Sequence, residues 1–445
     1  MNNTVLDVGS PDDLAALRLK VFAPCLINVD SEVRPTVLGI GETRPLVAFP
    51  SRNDKPRLNL LVPSVNPKQM FGGLTTAHNL FENTVKILGE DFDRRIIATD
   101  AAIDDEGYAR LKDYTPTAYA PTIDRAANTV VDAFGRQGRL DLRAGDMFIA
   151  TAWWTADFAI SLEKDRRRLF GGDLPFVYLI QDDEPYFYGW GSKFALAEAT
   201  YRKSSNIRAV INSEELLATM TRKYKFKSAV CIPYELNAEV SRRLKATPRR
   251  RDILVYGRPS VSRNAFELIC DGIFRWQQSD PVRASRWRIV FAGEAFSPSW
   301  AVPVQNCEVA GKLTLEAYAD LLNSAAVGVS LMLSPHPSYP PLEMAEAGLV
   351  TVVNHYEGKD LRSRFPEIIS LPYLDAEALA EALERAVDQA EPMIGKRTDR
   401  RSLKKPALKR GLVFDAGALA AQIQSDLKIL NDAPESNWWR KLIAR

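Results

Sequence analysis

Leu331–Asn354 reads LMLSPHPSYPPLEMAEAGLVTVVN, and the order of residue types in it decides the fold. The stretch begins at the end of an apolar run, Ala325–Leu333, with the composition of a strand buried on both faces. A loop of Ser and Pro follows. Pro340 and Pro341 suit the first turn of a helix, where no backbone N–H is needed. That helix carries Leu342, Met344 and Ala345 and stops at Gly348, and Leu349–Val353 reads as the next strand. Strand, polar loop and helix in this order form one unit of a parallel sheet. The carboxyl end of such a strand is where open α/β sheets bind phosphates. Glu343 lies just inside the helix, where a carboxylate can accept from a sugar hydroxyl while free N–H groups nearby face an anion.

The same alternation runs outward in both directions. Upstream, Leu58–Pro63, Arg95–Thr99, Met147–Thr151, Phe176–Ile180, Ile207–Ile211 and Ala229–Pro233 read as strands. Helices are expected over Leu74–Leu88, Ala126–Phe134, Gly191–Tyr201 and, behind a Ser213 cap, Glu214–Tyr224. Gly72 and Gly73 precede the first helix; they allow a ligand close to the backbone, and a plain tight turn reads equally well. Trp153 and Trp154 are expected as core or wall. The basic segment Arg242–Arg251 (RRLKATPRRR) reads as a linker. A second series follows it: strands at Asp252–Tyr256 and Trp287–Ala292, a helix opening near Arg263, and a Thr314-capped helix to Leu322. The stretch quoted first and a helix at Ala376–Ala390 complete this series. Ala416–Leu430 has helical spacing and lies beyond it. The expected units are therefore an extension over 1–56, α/β domains over 57–245 and 246–410, and a last helix in 411–445.

Composition narrows the function classes. Hydrophobic residues make up 46% of the 445 and charged ones 26%, as in ordinary globular proteins. Lys and Arg number 58 against 56 Asp and Glu, so no excess of positive charge points to nucleic acid. Four scattered cysteines without a CxxC pair suggest reduced thiols in a cytoplasmic protein and no zinc site. No apolar run approaches the ~20 residues of a membrane-spanning helix. Residues 1–56 carry no chemistry beyond a short amphipathic helix at Asp12–Phe22. The tip NWWRKLIAR (437–445) suits either a peripheral contact at the inner membrane face or docking on the protein itself. Phe176–Ile180 empties into Gln181-Asp182-Asp183-Glu184. Three adjacent carboxylates there can be a solvated, capping turn or a functional edge; a metal site ranks last, because no second acidic cluster matches it.

Two such units, a linker and a final helix free to cross back resemble the GT-B fold, two Rossmann-like domains facing across a cleft, of nucleotide-sugar glycosyltransferases. The phrases Gly257-Arg258, then Arg263 where a lysine is common, and Pro340-Pro341-Leu342-Glu343 resemble the retaining members of that fold. LNLLVPSVNP, YGRPSVSRN, PHPSYPPLEMAEAG and VVNHY are similar to rhamnosyltransferases that build bacterial surface glycans. Two positions depart from the pattern. Pro335 stands where the first acid of an acid-x7-acid pair belongs, and Gln181 or Asp182 stands where a histidine often ends the central strand of the first domain.

The resemblance implies a sugar transferred from a nucleoside diphosphate, such as thymidine-diphosphate rhamnose, to a glycan or lipid-linked glycan. It implies no cofactor and no metal. Arg258 and Arg263 would take the charge of the leaving diphosphate, since a guanidinium matches phosphate oxygens in pairs. Lys312 and the backbone around Ser338, Tyr339 and Leu342 would assist, with Gly257 at the strand end and Gly72 and Gly73 closing from the other domain. Glu343 would hold the pentose, and His336 would donate to sugar or phosphate. Asp182 and Glu184 would act at the reacting centre, with Gln181 and Asp183 on the acceptor side. A nucleotide-sugar epimerase on this architecture and a non-catalytic nucleotide-sugar-binding protein stand as alternatives.

Overall fold

A computed structural model describes residues 40–432 apart from 70–71, 118–125, 137, 204, 302–303, 366 and 399–410. The readings at Asp12–Phe22 and 437–445 lie outside the described residues. Among the described residues ten strands belong to the first lobe: β1 Ala48–Pro50, β2 Arg57–Val62, β3 Asp93–Ala98, β4 Thr115–Thr117, β5 Asn128–Asp132, β6 Leu140–Leu142, β7 Asp146–Ala150, β8 Phe176–Ile180, β9 Ile207–Asn212 and β10 Ser228–Ile232. Six belong to the second: β11 Arg250–Gly257, β12 Arg288–Gly293, β13 Cys307–Gly311, β14 Ala325–Val329, β15 Val350–Asn354 and β16 Ile369–Leu371.

The first lobe is an eight-stranded sheet in the order β10-β9-β8-β7-β2-β3-β5-β4, and the second a six-stranded sheet in the order β13-β12-β11-β14-β15-β16. Neighbours in both sheets are parallel. Parallel strands need crossovers, and the helices cover both faces, so central strands such as β2, β8 and β14 are buried along their whole length. In each sheet the winding reverses once, between β2 and β7 and between β11 and β14. At these switch points the loops leave in opposite directions and open a crevice at the carboxyl ends.

Helices Gly72–Leu88 and Ala416–Asp432 share one face of the first sheet, with Leu80, Phe81 and Val85 in one apolar cluster with Leu419, Ile423 and Leu427. The expected return of the last helix to the first domain is thus observed. Its polar side is tied as well: Arg208 donates to both carboxylate oxygens of Asp426 at 2.7 Å. In the second lobe, Phe266–Ser279 crosses Ala376–Ala390 at Gly272, where any Cβ would come within 2.6 Å of Leu379.

Several expectations need correction. Ala126–Phe134 is not a helix: Asn128–Asp132 forms β5, parallel to β3. Thr129, Val130 and Val131 are β-branched and fit a pleated sheet better than a helix. Segment Arg242–Arg251 is not a solvated linker. Ala238–Arg243 is a short helix and Arg250 opens β11. Buried Arg249 donates to the carbonyls of Leu322, Asn323 and Ala325 at 2.7–3.0 Å. Residues 48–50, read as extension, form β1 and pair with β6. Trp153 and Trp154, read as core or wall, open the helix Trp153–Phe170, and Trp153 is fully buried as that reading has it.

Below the first sheet, at its amino end, lies a buried ionic cluster. Arg57 donates to Asp146 at 2.8 and 2.9 Å and to Asp141 at 3.0 Å. Arg143 reaches Asp93 at 2.6 Å. Burial opposes the Asp146 charge, yet Arg57 and Arg95 hold its carboxyl well below the ordinary range.

Candidate active site

The two crevices face each other, and side chains from the carboxyl ends of both sheets meet between them. Asp182, just past β8, carries an ion pair with Arg263 at 3.2 Å and accepts from the Ser334 hydroxyl. Asn212, at the end of β9, accepts from the Tyr339 hydroxyl at 2.6 Å. Arg364 reaches Glu214 at 2.6 Å and Glu215 at 2.7 Å, and Lys223 reaches Glu357 at 3.0 Å. Each contact joins a residue of one lobe to a residue of the other.

Loop 334–338, between β14 and the helix Pro340–Glu346, is braced by its own side chains. The His336 N–H donates to Ser334 Oγ at 3.0 Å, and the Ser338 N–H donates to His336 Nδ1 at 3.1 Å. Ser338 takes a left-handed backbone, with φ of +61°, to make that turn. Two consequences follow, of which the first differs from expectation. The Ser338 N–H is spent on the imidazole and does not face a phosphate. With Nδ1 accepting, and burial holding the ring neutral, the imidazole proton lies on Nε2, which is buried and has no partner among the described residues. His336 is therefore poised as a donor.

Glu343 lies in a recess of the second lobe, partly open to solvent yet ringed by protein. It accepts from the Tyr318 hydroxyl at 2.9 Å. Burial pushes its carboxyl up to about 7, against the pull of that hydrogen bond. Leu342 is wholly buried and packs with Val353 and Phe365, so its side chain supports the helix. Arg258 follows Gly257 at the end of β11, half-buried. Among the described residues its guanidinium has no hydrogen bond or ion pair, in contrast to Arg263, which is held by Asp182 and lies over the Phe187 ring at 4.1 Å. Lys312 is exposed at the turn after β13.

In the first lobe Gly73 is packed against Gln181: a Cβ there would meet Gln181 Oε1 at 2.6 Å. Gly72 is exposed at the start of the same helix. The three acids after Gln181 do not converge. Asp182 faces the second lobe. Asp183 is buried and paired with Lys223 at 2.9 Å. Glu184 is buried beneath the Trp153–Phe170 helix, where its carboxylate accepts from the Trp153 N–H at 2.5 Å. Burial lifts Glu184 to about 8. So Asp183, expected on the acceptor side, is engaged in an inter-lobe ion chain, and Glu184, expected at the reacting centre, is engaged in a helix cap. Among the described residues no group of three or more His, Cys, Asp or Glu side chains is gathered as a metal ion requires.

Sequence reasoning missed Lys359. It is fully buried, donates to the Met332 carbonyl at 2.7 Å, and burial lowers it to about 7 although Asp182 and Glu215 pull the other way. No motif marks it; only the lobe contact brings it near Asp182. Asn212 and Arg364 were missed for the same reason, and Tyr318 because only packing within the second lobe sets it on Glu343. A groove of about 1050 Å³ near β16, lined by Arg275, His355, Arg362 and Tyr373, contains none of these site residues. No helix among the described residues is long and apolar enough to cross a membrane.

Two family descriptions divide between the two lobes. Residues 57–214 match the description "WsaF, N-terminal domain" and residues 251–384 match "WsaF, C-terminal domain". The chain is 31% identical over 216 residues to the O-antigen biosynthesis protein RfbC of Myxococcus xanthus, covering 48% of this chain and 16% of that protein. The match thus spans only a small part of that relative's length. Among solved structures, sucrose-phosphate synthase from Thermosynechococcus elongatus overlaps 84% of this chain and 99% of its own, with 12% identity and a TM-score of 0.48. WaaG, described as a glycosyltransferase involved in lipopolysaccharide biosynthesis, overlaps 87% and 98%, with 11% identity and a TM-score of 0.43. With its two sheets assigned to the two domains of one family, and those matches together spanning well over half of its length, the chain belongs to the WsaF family.

Proposed function

We propose that this protein transfers a sugar from a nucleoside-diphosphate donor to a glycan acceptor in O-antigen or other surface-glycan synthesis, with retention and without a metal ion. One observation supports the donor site most. Arg258 and Glu343 follow two neighbouring strands, β11 and β14, where the sheet order reverses, Glu343 accepts from Tyr318 of the helix before β14, and the Arg258 guanidinium is unengaged among the described residues. A cation with no internal partner is ready for an anionic ligand. The donor is thymidine-diphosphate rhamnose, on the resemblance of the YGRPSVSRN and PHPSYPPLEMAEAG phrases to rhamnosyltransferases.

In this reading Arg258 holds the diphosphate as charge builds on it, and His336 Nε2–H donates to the sugar or a phosphate oxygen. The ionised Glu343 accepts from a pentose hydroxyl beside Tyr318. The bond between the sugar's anomeric carbon and the phosphate oxygen breaks, and the bond to the acceptor oxygen forms on the same face. The acceptor's proton passes to the leaving phosphate. Asp182, paired with Arg263, borders the acceptor side.

A panel of nucleotide sugars tests this by thermal shift. A donor at a hundredfold its Kd should add about 2.7 kcal/mol of stability. Thymidine-diphosphate rhamnose should raise Tm in the parent and not in Arg258→Ala. Silence across the whole panel would sink the proposal. Transfer should also persist in excess chelator; activity lost there and restored by added divalent cation would overturn the metal-free reading.

A further inference from the structure

Past β8 the chain runs Tyr186-Phe187-Tyr188-Gly189-Trp190 before the helix Ser192–Arg202. Trp190 is 93% exposed. Its indole is not loose: it lies flat on Phe194, with ring centres 5.5 Å apart and planes 5° from parallel. Tyr186 abuts Phe194 edge-on at 5.6 Å. One face of the indole is thus occupied and the other is presented to solvent in a fixed orientation. An indole held in this way, with one face free, has the geometry of a stacking platform.

The platform is continuous with the inter-lobe crevice. Phe187, beside Tyr186, carries the Arg263 guanidinium over its ring, and Asp182 lies five residues before Phe187 on the same turn. The surrounding charge selects the partner. The two lysines that border the platform are both neutralised: Lys193 by Glu42 at 2.5 Å, and Lys223 by Asp183 at 2.9 Å and Glu357 at 3.0 Å. Little positive charge is left to draw anionic lipid headgroups. A neutral sugar ring presents one face of weakly positive C–H groups, and these suit the negative face of an indole.

We propose that Trp190, backed by Phe194 and Tyr186, stacks an inner sugar of a neutral acceptor glycan whose end reaches the crevice at Asp182. The platform makes the protein a reader of acceptor length. This rests on the transferase reading above, and its test separates the two. The full chain is titrated calorimetrically with a ladder of rhamnose oligosaccharides from monosaccharide to hexasaccharide. Affinity should rise about tenfold once the chain is long enough to reach Trp190, a gain in keeping with one stacked ring. Trp190→Ala should lose that gain and keep both monosaccharide binding and the thermal shift caused by the donor. Trp300→Ala, an exposed tryptophan of the second lobe, should behave as the parent. Three results would overturn the proposal: no length dependence in the parent, an unchanged ladder in Trp190→Ala, or vesicles of phosphatidylglycerol and phosphatidylethanolamine that capture the parent and not Trp190→Ala. If no nucleotide sugar shifts Tm while the ladder still depends on Trp190, the transferase reading falls and the platform stands.

Discussion

Glu343 shows how much a single residue's surroundings decide. Its type and place, behind two prolines at a helix start, were legible in the sequence. Its protonation was not, because that depends on Tyr318 from a separate helix and on burial. With its carboxyl near 7, donor affinity should strengthen as pH rises through about 7, since the ionised form is the stronger acceptor for a sugar hydroxyl. Glu343→Gln should flatten that profile in thermal-shift titrations with the donor. Folding runs the other way. Glu343 and Glu184 bind protons in the folded state that the unfolded chain has released, so their contribution weakens stability from the ordinary carboxylate range up to about 8. Arg258→Ala should lower kcat/KM by about 10²–10³, the usual loss for one donor to developing charge, and leave Tm unchanged because the guanidinium holds nothing inside the protein. His336 was legible as a histidine in a loop. The brace from Ser338 that places its proton on Nε2 was not, since sequence says nothing of which N–H turns inward.

At the scale of elements, buried parallel strands announced themselves by uninterrupted apolar runs such as LNLLVP and FVYLI, and the caps Ser213 and Thr314 accept from Leu216 and Ala317 as their positions suggest. The failures were local ambiguities that tertiary pairing resolved. Ala126–Phe134 satisfies a helical spacing by eye, but β3 offered its Thr-Val-Val centre a ladder. RRLKATPRRR looked like a solvated run because a buried arginine caps carbonyls that no linear pattern reveals. The last helix was legible as a helix, and its apolar face implied a partner. The strength of its attachment lies in one buried pair. Asp426→Ala leaves Arg208 uncompensated and should cost about 3–5 kcal/mol in urea unfolding. Ile423→Ala, in the same seam, should cost about 2–5 kcal/mol by emptying apolar volume.

Across the whole molecule, the lobes are joined by polar ties. Arg364 pairs with two first-lobe carboxylates at once, so Arg364→Ala would leave Glu214 and Glu215 facing each other without a cation. The lobes should then part: small-angle scattering should show a larger radius of gyration, and donor KM should rise. An unchanged scattering curve would mean that the other ties hold the closed form alone. None of these ties joins residues close in sequence, which is why the inter-lobe half of the site was invisible before the fold was known. The return of residues 416–432 to the first lobe also has a bearing on biosynthesis. A ribosome delivers the chain from its amino end, so the Gly72–Leu88 helix emerges long before its cover exists. Through most of translation the first lobe carries a bare greasy seam, and the nascent chain becomes a client for holding chaperones until the final turns are made. A protein stopped short of Ala416 should bind hydrophobic dye and precipitate, however complete its inter-lobe crevice.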